Sequence, residues 1–405
     1  MAMKQRFWLA CLIFLLPLLL FSCGQSPQPD EIEIEPIPMF EREEESYTDD
    51  ETSELYDYIN DYDFYMQEDG TFAVSAGNNR FRTSLIIPES YDGIPVTGVA
   101  EAGFERCTHL RHVTMPDSIT TLGERAFNGC AVLETVRISA SLTVIANHAF
   151  CDCTSLTEAD LPATVTEIWE DAFRGCTSLS SVTVPAQVTV LGDEAFYGCT
   201  SLQTATISAA STECGDSVFA ACVSLREVSL PDGLTAISAN LFNGCYALTQ
   251  VTLPITVTII YNGAFEGCRA LTAVVLPAGL RTIGNKVFDG CSSLSAVVLP
   301  DTVTSIGNMC FRNCSVLEHV TLSAGLISVG PSAFAGCIAL AEITVPGAVH
   351  MIGAQAFAGC EQLTAAHFAV TAGWYMNGSG SAADFSDPAA AADALRADGF
   401  GFTRN

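Results

Sequence analysis

Cysteine is the residue type in this chain best suited to metal-binding, redox or nucleophilic chemistry, because its thiolate is a strong ligand and nucleophile. The sequence holds 17 cysteines, and most of them recur at a constant step of 23 residues. The recurring cysteines stand at positions 107, 130, 153, 176, 199, 222, 245, 268, 291, 314, 337 and 360. No Cys-x-x-Cys occurs and no cysteine has a histidine or lysine beside it, which disfavours a zinc or redox site.

A column of identical thiols also has a structural explanation, because a buried cysteine behaves as a small apolar side chain. Side chains of one column point in parallel, which disfavours disulfides between neighbours, and the chain beyond Cys23 holds an odd number of cysteines. We therefore expect a ladder of buried thiols. Disulfides, metal binding near Cys151 and Cys153, and a redox thiol are the alternatives.

The six histidines form no catalytic or metal motif in the sequence. His112 and His319 occupy equivalent repeat positions, but they stand nine repeats apart, which is roughly 40 Å at ~4.8 Å per repeat. Neither His109 with His112 nor His350 with His367 has a third ligand nearby in sequence. Signatures of hydrolases, metalloproteases and nucleotide-binding loops are missing from the sequence. The sequence therefore predicts no enzyme activity, no metal and no cofactor.

The 23-residue step extends well beyond cysteine. Phenylalanine precedes each recurring cysteine by three residues, at 104, 127, 150, 173, 196, 219, 242, 265, 288, 311, 334 and 357. Leucine follows each by three, at 110, 133, 156, 179, 202, 225, 248, 271, 294, 317, 340 and 363. The consensus is A-F-x-G-C-x-x-L-x-x-V-x-L-P-x-x-V-T-x-I-G-x-x, well represented by residues 264–286. Internal repetition of this period is typical of a solenoid.

Each block of the repeat has a local structural meaning. Val274 and Leu276 lie on one face of a short stretch, as in a half-buried strand that Pro277 ends. The Val-Thr-x-Ile block predicts a second extended stretch, and Ala-Phe-x-Gly-Cys predicts a short helical turn. One repeat buries about five large apolar side chains at ~1.5–3 kcal/mol each, whereas ordering its residues costs ~1.5 kcal/mol each. A single unit is therefore stable only when it is stacked on its neighbours.

These three blocks together resemble the BspA-like leucine-rich repeat family, over about residues 85–370. The resemblance implies an α/β repeat fold, a right-handed leucine-rich-repeat solenoid with parallel strands along one face and short helical turns. Twelve repeats of 23 residues would form it, over residues 104–370. The resemblance also implies a bacterial surface protein, since some relatives are adhesins for host extracellular proteins. The unit around Ser208–Phe219 departs most from the consensus, so we expect the weakest stacking there.

Both ends of a solenoid core require covering. Residues 61–103 predict an N-terminal cap with a hairpin at Glu68–Gly70 and a degenerate first repeat. Residues 371–405 predict a C-terminal cap, in which Asp387 and Pro388 begin a helix and Trp374 covers the core. A separate ligand-binding appendage is the alternative for this last segment.

The first 22 residues predict a lipoprotein signal peptide. Lys4 and Arg6 precede an apolar run over residues 7–21, which is shorter than the ~20 residues that a membrane span needs. Leu20-Phe21-Ser22-Cys23 resembles a bacterial lipobox, with Cys23 as the lipidated residue and Phe21 larger than usual. An ordinary signal peptide cut elsewhere and an uncleaved anchor are the alternatives.

Residues 23–60 predict an acidic, disordered tether. Residues 30–70 hold 17 of the 46 acidic residues and only one basic residue, Arg42. Such a segment cannot bury enough apolar surface to fold, and its like charges extend it. The formal net charge of −29 also makes nucleic acid an unlikely partner class, because phosphate binding requires a basic surface.

The outward positions of the first strand are the expected contact surface for a partner. Most of them are threonine or serine, which strand propensity alone explains. Val275 and Val298, flanked by Ala273 and Ala296, break this pattern and predict an apolar partner-contact patch. A charged cluster around Arg111 near the other end is a second candidate.

The sequence thus predicts a non-enzymatic recognition scaffold in the bacterial cell envelope, lipid-anchored at the outer membrane or cell surface. The expected partner is an extracellular or host protein. Glycan or nutrient capture and a structural envelope role are the alternatives, and the strand columns show no aromatic platform for sugars.

Overall fold

The computed structural model of the protein describes residues 59–208, 213–397, 399 and 401–404. The signal segment, Cys23 and the tether up to residue 58 lie outside the described residues. Short 3-10 helices span Ile59–Asp61 and Gly77–Phe81, and helix α1 spans Pro388–Arg396. All other regular elements in the described part are short strands.

In chain order the strands are β1 (Asp63–Met66), β2 (Phe72–Ser75), β3 (Ser84–Ile86), β4 (Ser90–Tyr91), β5 (Ile94–Val99), β6 (His112–Thr114), β7 (Thr121–Leu122), β8 (Thr135–Arg137), β9 (Val144–Ile145), β10 (Glu167–Ile168), β11 (Ser181–Val184), β12 (Val190–Leu191), β13 (Thr204–Ile207), β14 (Glu213–Cys214), β15 (Glu227–Ser229), β16 (Ala236–Ile237), β17 (Ile259–Ile260), β18 (Thr282–Ile283), β19 (Ala296–Val298), β20 (Ser305–Ile306), β21 (His319–Thr321), β22 (Ser328–Val329), β23 (Glu342–Val345), β24 (Met351–Ile352), β25 (Ala365–Phe368), β26 (Trp374–Met376), β27 (Ala382–Ala383) and β28 (Phe402–Arg404).

Two ladders of parallel strands run along the stacked turns. The first block of the repeat forms pairs such as β6 with β8, β11 with β13, β19 with β21 and β23 with β25. The Val-Thr-x-Ile block forms the second ladder, with a continuous parallel run from β16 to β24. Partners within the repeats stand 23 residues apart, as in the pairing of Val182 with Ala205. The solenoid, its repeat length and the second extended stretch of each repeat are confirmed.

The phenylalanine column forms the centre of the core. The rings from Phe104 to Phe357 are buried and stack turn on turn, with centroids 5.0–6.0 Å apart and planes within 24° of parallel. The two widest separations, 5.7 and 6.0 Å, flank Phe219. Val218 and Leu241 stand in these turns where most turns have alanine, and both side chains are buried. The expected weakness around Phe219 therefore corresponds to the widest ring spacing.

The segment around each phenylalanine is a hydrogen-bonded turn and not a turn of α-helix. The residues two before and two after the ring adopt left-handed angles, as at Arg125 (φ 56°) and Gly129 (φ 71°) around Phe127. This alternation aims every second N–H along the stack: Arg125, Phe127 and Gly129 donate to carbonyls of the next turn at 2.7–2.9 Å. The expected helical turn is thus replaced by a ladder between turns, because a helix would satisfy those N–H groups within its own segment.

The two ends of the described repeats differ from the interior. At the N-terminal end β1 and β2 form the expected antiparallel hairpin, and Tyr62 lies buried against Phe104. At the C-terminal end α1 contacts β25, and the Asp387 carboxylate accepts hydrogen bonds from two N–H groups of the first helical turn. The Trp374 ring is buried against Phe368, and its Nε1–H donates to the carbonyl of Val370 at 2.9 Å.

Replacement of one stacked ring tests the phenylalanine column. We expect Phe265→Ala to lower the free energy of unfolding by about 3–5 kcal/mol, because it leaves a cavity between two rings. Phe81→Ala is the matched control, since Phe81 is 72% exposed, and should change it by less than about 0.5 kcal/mol. Urea unfolding of both variants measures the difference, and equal losses would contradict the role of the column.

Candidate functional site

The outward face of the first strands is the surface on which the sequence places a partner. Val274 and Leu276 point inward and are buried, so Val275 between them points outward. Val275 bridges to Thr252 of the preceding turn, and Val298 pairs with Thr321 of the following turn. The alternation of the repeat therefore places the two valines side by side in consecutive turns, about one strand spacing (~4.8 Å) apart.

These two valines are unusually exposed for their type. Val275 is 80% exposed and Val298 is 64% exposed. Ala273 and Ala296 are also exposed on the same face. The four residues, hereafter the valine patch, are uncharged, and hydroxyl-bearing threonines border them on both sides. An exposed apolar patch with a polar border is the arrangement expected of a protein-contact surface.

Ile255 is a further exposed apolar residue that the sequence reasoning missed. Its side chain is 88% exposed and lies three residues beyond Thr252. Equivalent positions after the strand proline hold small residues or aspartate; Asp117 and Asp301 there accept an N–H of the next turn at 3.1 and 3.2 Å. An isoleucine cannot make this bond. The signal was available in the sequence, because every other repeat has Asp, Ala or Gly in this column except the last, which has Val370.

The charged cluster near the other end is paired within itself. The Arg111 guanidinium contacts Glu134, and Arg137 contacts Asp117 at 3.1 Å. Arg137 also donates to the carbonyl of Met115 at 2.6 Å. Exposed ion pairs of this kind contribute about 0–1 kcal/mol. The cluster therefore links neighbouring turns. Because its charges are paired with one another, it is a weaker candidate for a partner contact than the valine patch.

The recurring thiols form a ladder of hydrogen bonds. From Cys130 to Cys360 each thiol of the column donates to the carbonyl of the phenylalanine 26 residues earlier, with Sγ···O distances of 3.0–3.3 Å. The same carbonyl accepts the N–H of the cysteine in its own turn, as Phe127 does from Cys130 at 3.2 Å. All 15 described cysteines are free thiols. Each thiol of the column is thus a weak hydrogen-bond donor that joins adjacent turns inside the core.

Burial also controls the acidity of the thiols. Removal from water raises the pKa of Cys214 to about 11 and the pKa of Cys151 to about 12. The pKa of Cys268, in the middle of the column, is raised well above its ordinary value by the same cause. A thiol that stays protonated is a poor nucleophile and a poor metal ligand, so this environment favours the structural role of the column.

Two of the described histidines contact residues of the following turn. His112 lies beside Thr135, with Nδ1 2.9 Å from its hydroxyl, and His148 lies 3.2 Å from the Asp171 carboxylate of the next turn. Among the residues that the structure describes, no group of His, Cys, Asp and Glu side chains could hold a metal ion. Over the same residues, no helix is long and apolar enough to cross a bilayer.

The family follows from the sequence blocks in this stacked arrangement. The model of the BspA type leucine-rich repeat region matches residues 78–199, 144–272 and 258–372. This chain belongs to the BspA type leucine-rich repeat family. Repeats of this family generally act as binding scaffolds.

Two solved structures of bacterial leucine-rich repeat proteins are similar to this chain. A leucine-rich repeat protein from Bacteroides ovatus ATCC 8483 is 26% identical with a TM-score of 0.56, over 77% of this chain and 88% of that one. A leucine rich cell surface protein from Faecalibacterium prausnitzii A2-165 is 29% identical with a TM-score of 0.52, over 76% of this chain and 86% of that one. No functionally curated protein is similar enough to count as a relative.

Thiol labelling tests the burial of the cysteines. We expect iodoacetamide to modify Cys214 of the folded ectodomain (residues 24–405) first, because the other described cysteines are fully buried. The pKa of about 11 makes the thiolate a minor species at neutral pH, so the labelling rate should rise about tenfold per pH unit from pH 8 to 10.

Mass spectrometry of the labelled peptides measures the rate at each site. The variant Cys214→Ala should lose the fast phase. Labelling of Cys245 or Cys268 at the rate of Cys214 in the folded protein would contradict a buried thiol ladder.

Proposed function

We propose that this BspA-type protein is a lipid-anchored recognition scaffold of the bacterial surface. Its proposed partner is an extracellular protein, such as a protein of a host. The valine patch is the proposed contact centre. The observation that carries the proposal is the exposure of Val275 and Val298, 80% and 64%, in a column otherwise occupied mainly by small hydroxyl residues.

The chemistry of the patch favours a protein partner. Full burial of a valine side chain contributes about 1.5–3 kcal/mol, and apolar contacts at the centre of an interface dominate its affinity. The threonines beside the valine patch supply the hydrogen-bonding rim that such interfaces need. The chain has a formal net charge of −29, so a partner with a neutral or basic surface around an apolar centre meets the least repulsion.

The proposed role requires recognition and no chemical step. Most of the described cysteines are buried, and burial raises the pKa of thiols such as Cys268; the first-strand face presents hydroxyls and apolar groups to solvent. A non-enzymatic scaffold is therefore the function that these residues support best.

Anchoring is the second part of the proposal. Cys23 follows an apolar segment and precedes residues 24–58, which are rich in proline and acid. A diacylglyceryl group on Cys23 would hold the chain on the membrane, and the acidic segment would space the repeats from it. The cell-surface description of the Faecalibacterium relative supports a place at the cell surface.

Substitution of the lipidated residue tests the anchor. In the full chain expressed in a bacterial host, Cys23→Ser should abolish lipid labelling of the protein. The variant should then be found as an uncleaved precursor or in the soluble fraction. Cys11→Ser is the matched control, because Cys11 lies inside the apolar run and should not affect processing. Lipid labelling that persists in Cys23→Ser, or is lost equally in both variants, would refute Cys23 as the attachment site.

Binding assays test the contact centre. The ectodomain should bind at least one protein from a panel of extracellular matrix proteins in interferometry, and Val275→Asp with Val298→Asp should weaken that binding at least tenfold. Thr183→Asp with Thr206→Asp is the matched control, since these exposed residues occupy the same outward column and add the same charge.

The outcomes separate the functional classes. Equal loss in both pairs of variants would mean that added charge, and not the valine patch, controls binding. Binding to polysaccharides alone would favour glycan or nutrient capture, and binding to neither class would favour a structural role in the envelope.

A further inference from the structure

The turn of Phe219 leaves a gap in the side of the stack. Unlike the valine patch, this gap is lined by aromatic and amide side chains. The position after phenylalanine carries Tyr197 in the preceding turn and Asn243 in the following turn, but Ala220 in this one. The result is a notch of about 270 Å³, lined by Tyr197, Ala220, Val223, Asn240, Asn243 and Tyr246. The widest phenylalanine separations of the column, 5.7 and 6.0 Å, lie on either side of this turn.

An arginine side chain packs against the ring of each of the two tyrosines that line the notch. The Arg174 guanidinium carbon lies 4.9 Å from the centroid of the Tyr197 ring, and Arg174 belongs to the preceding turn. The Arg269 guanidinium carbon lies 4.4 Å from the centroid of the Tyr246 ring, and Arg269 belongs to the following turn. Each arginine therefore covers the ring face away from the notch, and the other face remains for a ligand.

The gap over Ala220 has room for one ligand ring. Tyr197 and Asn243 occupy the same column on either side of Ala220, so their backbones stand about two strand spacings apart, or ~9–10 Å, whereas Tyr246 lines the notch from the column three residues further along its turn. A ring that stacks on Tyr197 and contacts Asn243 with its other side at ordinary contact distances requires ~7–8 Å. The small side chain of Ala220 leaves the floor open between them.

The polar groups of the notch match hydroxyl groups. The Asn243 side-chain nitrogen donates to Asn240 Oδ1 at 3.4 Å and to Glu266 Oε2 at 3.3 Å. Within the described residues this leaves Asn240 Nδ2 as a donor and Asn243 Oδ1 as an acceptor without a protein partner. Neighbouring hydroxyls of a sugar ring both donate and accept, and they would use this pair.

We propose that the notch lined by Tyr197 and Tyr246 binds a neutral hexopyranose residue of a glycan, stacked on the Tyr197 ring, flanked by Tyr246 and hydrogen-bonded by Asn240 and Asn243. This site is separate from the valine patch and does not depend on the protein-binding proposal. The amide groups favour a sugar over the aromatic or proline side chain of a peptide, which would leave the donor and acceptor unsatisfied. The net charge of −29 favours a neutral sugar over an acidic one.

The test titrates the full chain, purified in mild detergent, with malto-, cello-, manno- and galacto-hexaose, and follows binding by saturation-transfer NMR and calorimetry. At least one of these neutral oligosaccharides should bind at millimolar concentration or better. Tyr197→Ala and Tyr246→Ala should each weaken binding at least tenfold. Tyr261→Ala is the matched control, because Tyr261 is 49% exposed outside the notch, and it should bind as the unaltered protein does.

A gap-filling variant separates loss of stacking from loss of folding. Ala220→Tyr should abolish sugar binding with little loss of stability, since the equivalent position already holds a tyrosine in the preceding turn. Absence of binding to all four oligosaccharides, retention of binding in Ala220→Tyr, or binding of a proline-rich peptide at the notch in their place would overturn the proposal. The variants of the valine patch should bind the sugar normally, so the two proposals fail independently.

Discussion

Each turn of this protein contacts its neighbours through groups that recur every 23 residues. The N–H groups of Arg125, Phe127 and Gly129 reach carbonyls of the next turn, the phenylalanine rings stack on one another, and the thiols donate to carbonyls of the turn before. If the length of one turn departed from 23 residues, these contacts would be lost at that turn. This single register therefore aligns the core, both strand ladders and the outward side chains at once.

The constraint also explains why the core column holds cysteine. The position is buried, lies beside the carbonyl of a phenylalanine one turn earlier and has room for a small side chain. Alanine would supply the volume without a donor, whereas a thiol supplies a weak donor with little desolvation cost. A column of cysteines in a chain that resembles surface proteins is thus explained without disulfides, metal or redox chemistry.

Much of the fold could be predicted from the sequence because the period and the alternation of apolar residues are local signals. They correctly assigned Val274 as buried and Val275 as exposed, and the unit of Phe219, where weak stacking is expected, has the widest ring separations. The turns around phenylalanine were predicted as helical because Ala-Phe-x-Gly-Cys has helix-like spacing. The left-handed angles at residues such as Arg125 and His148 are imposed by hydrogen bonds between turns, which no local propensity reveals.

The candidate binding features are departures from the repeat, and this makes only some of them predictable. Val275 and Ile255 can be found by comparing each residue with its column. The notch depends on residues of three turns and on the arginines that orient Tyr197 and Tyr246, so it emerges only when the turns are stacked. A surface that repeats itself cannot distinguish ligands along its length, and irregular positions supply that distinction.

Deletion of one repeat in and out of phase tests the central claim most directly. Removal of residues 136–158, a full 23-residue step, joins Thr135 to Ala159 and keeps every column in register. Thermal unfolding followed by circular dichroism should show a cooperative transition close to that of the unaltered ectodomain. Removal of residues 147–158 alone shifts the register and should abolish that transition. Unfolding of the in-phase variant, or equal stability of the two, would contradict an architecture that depends on the 23-residue register.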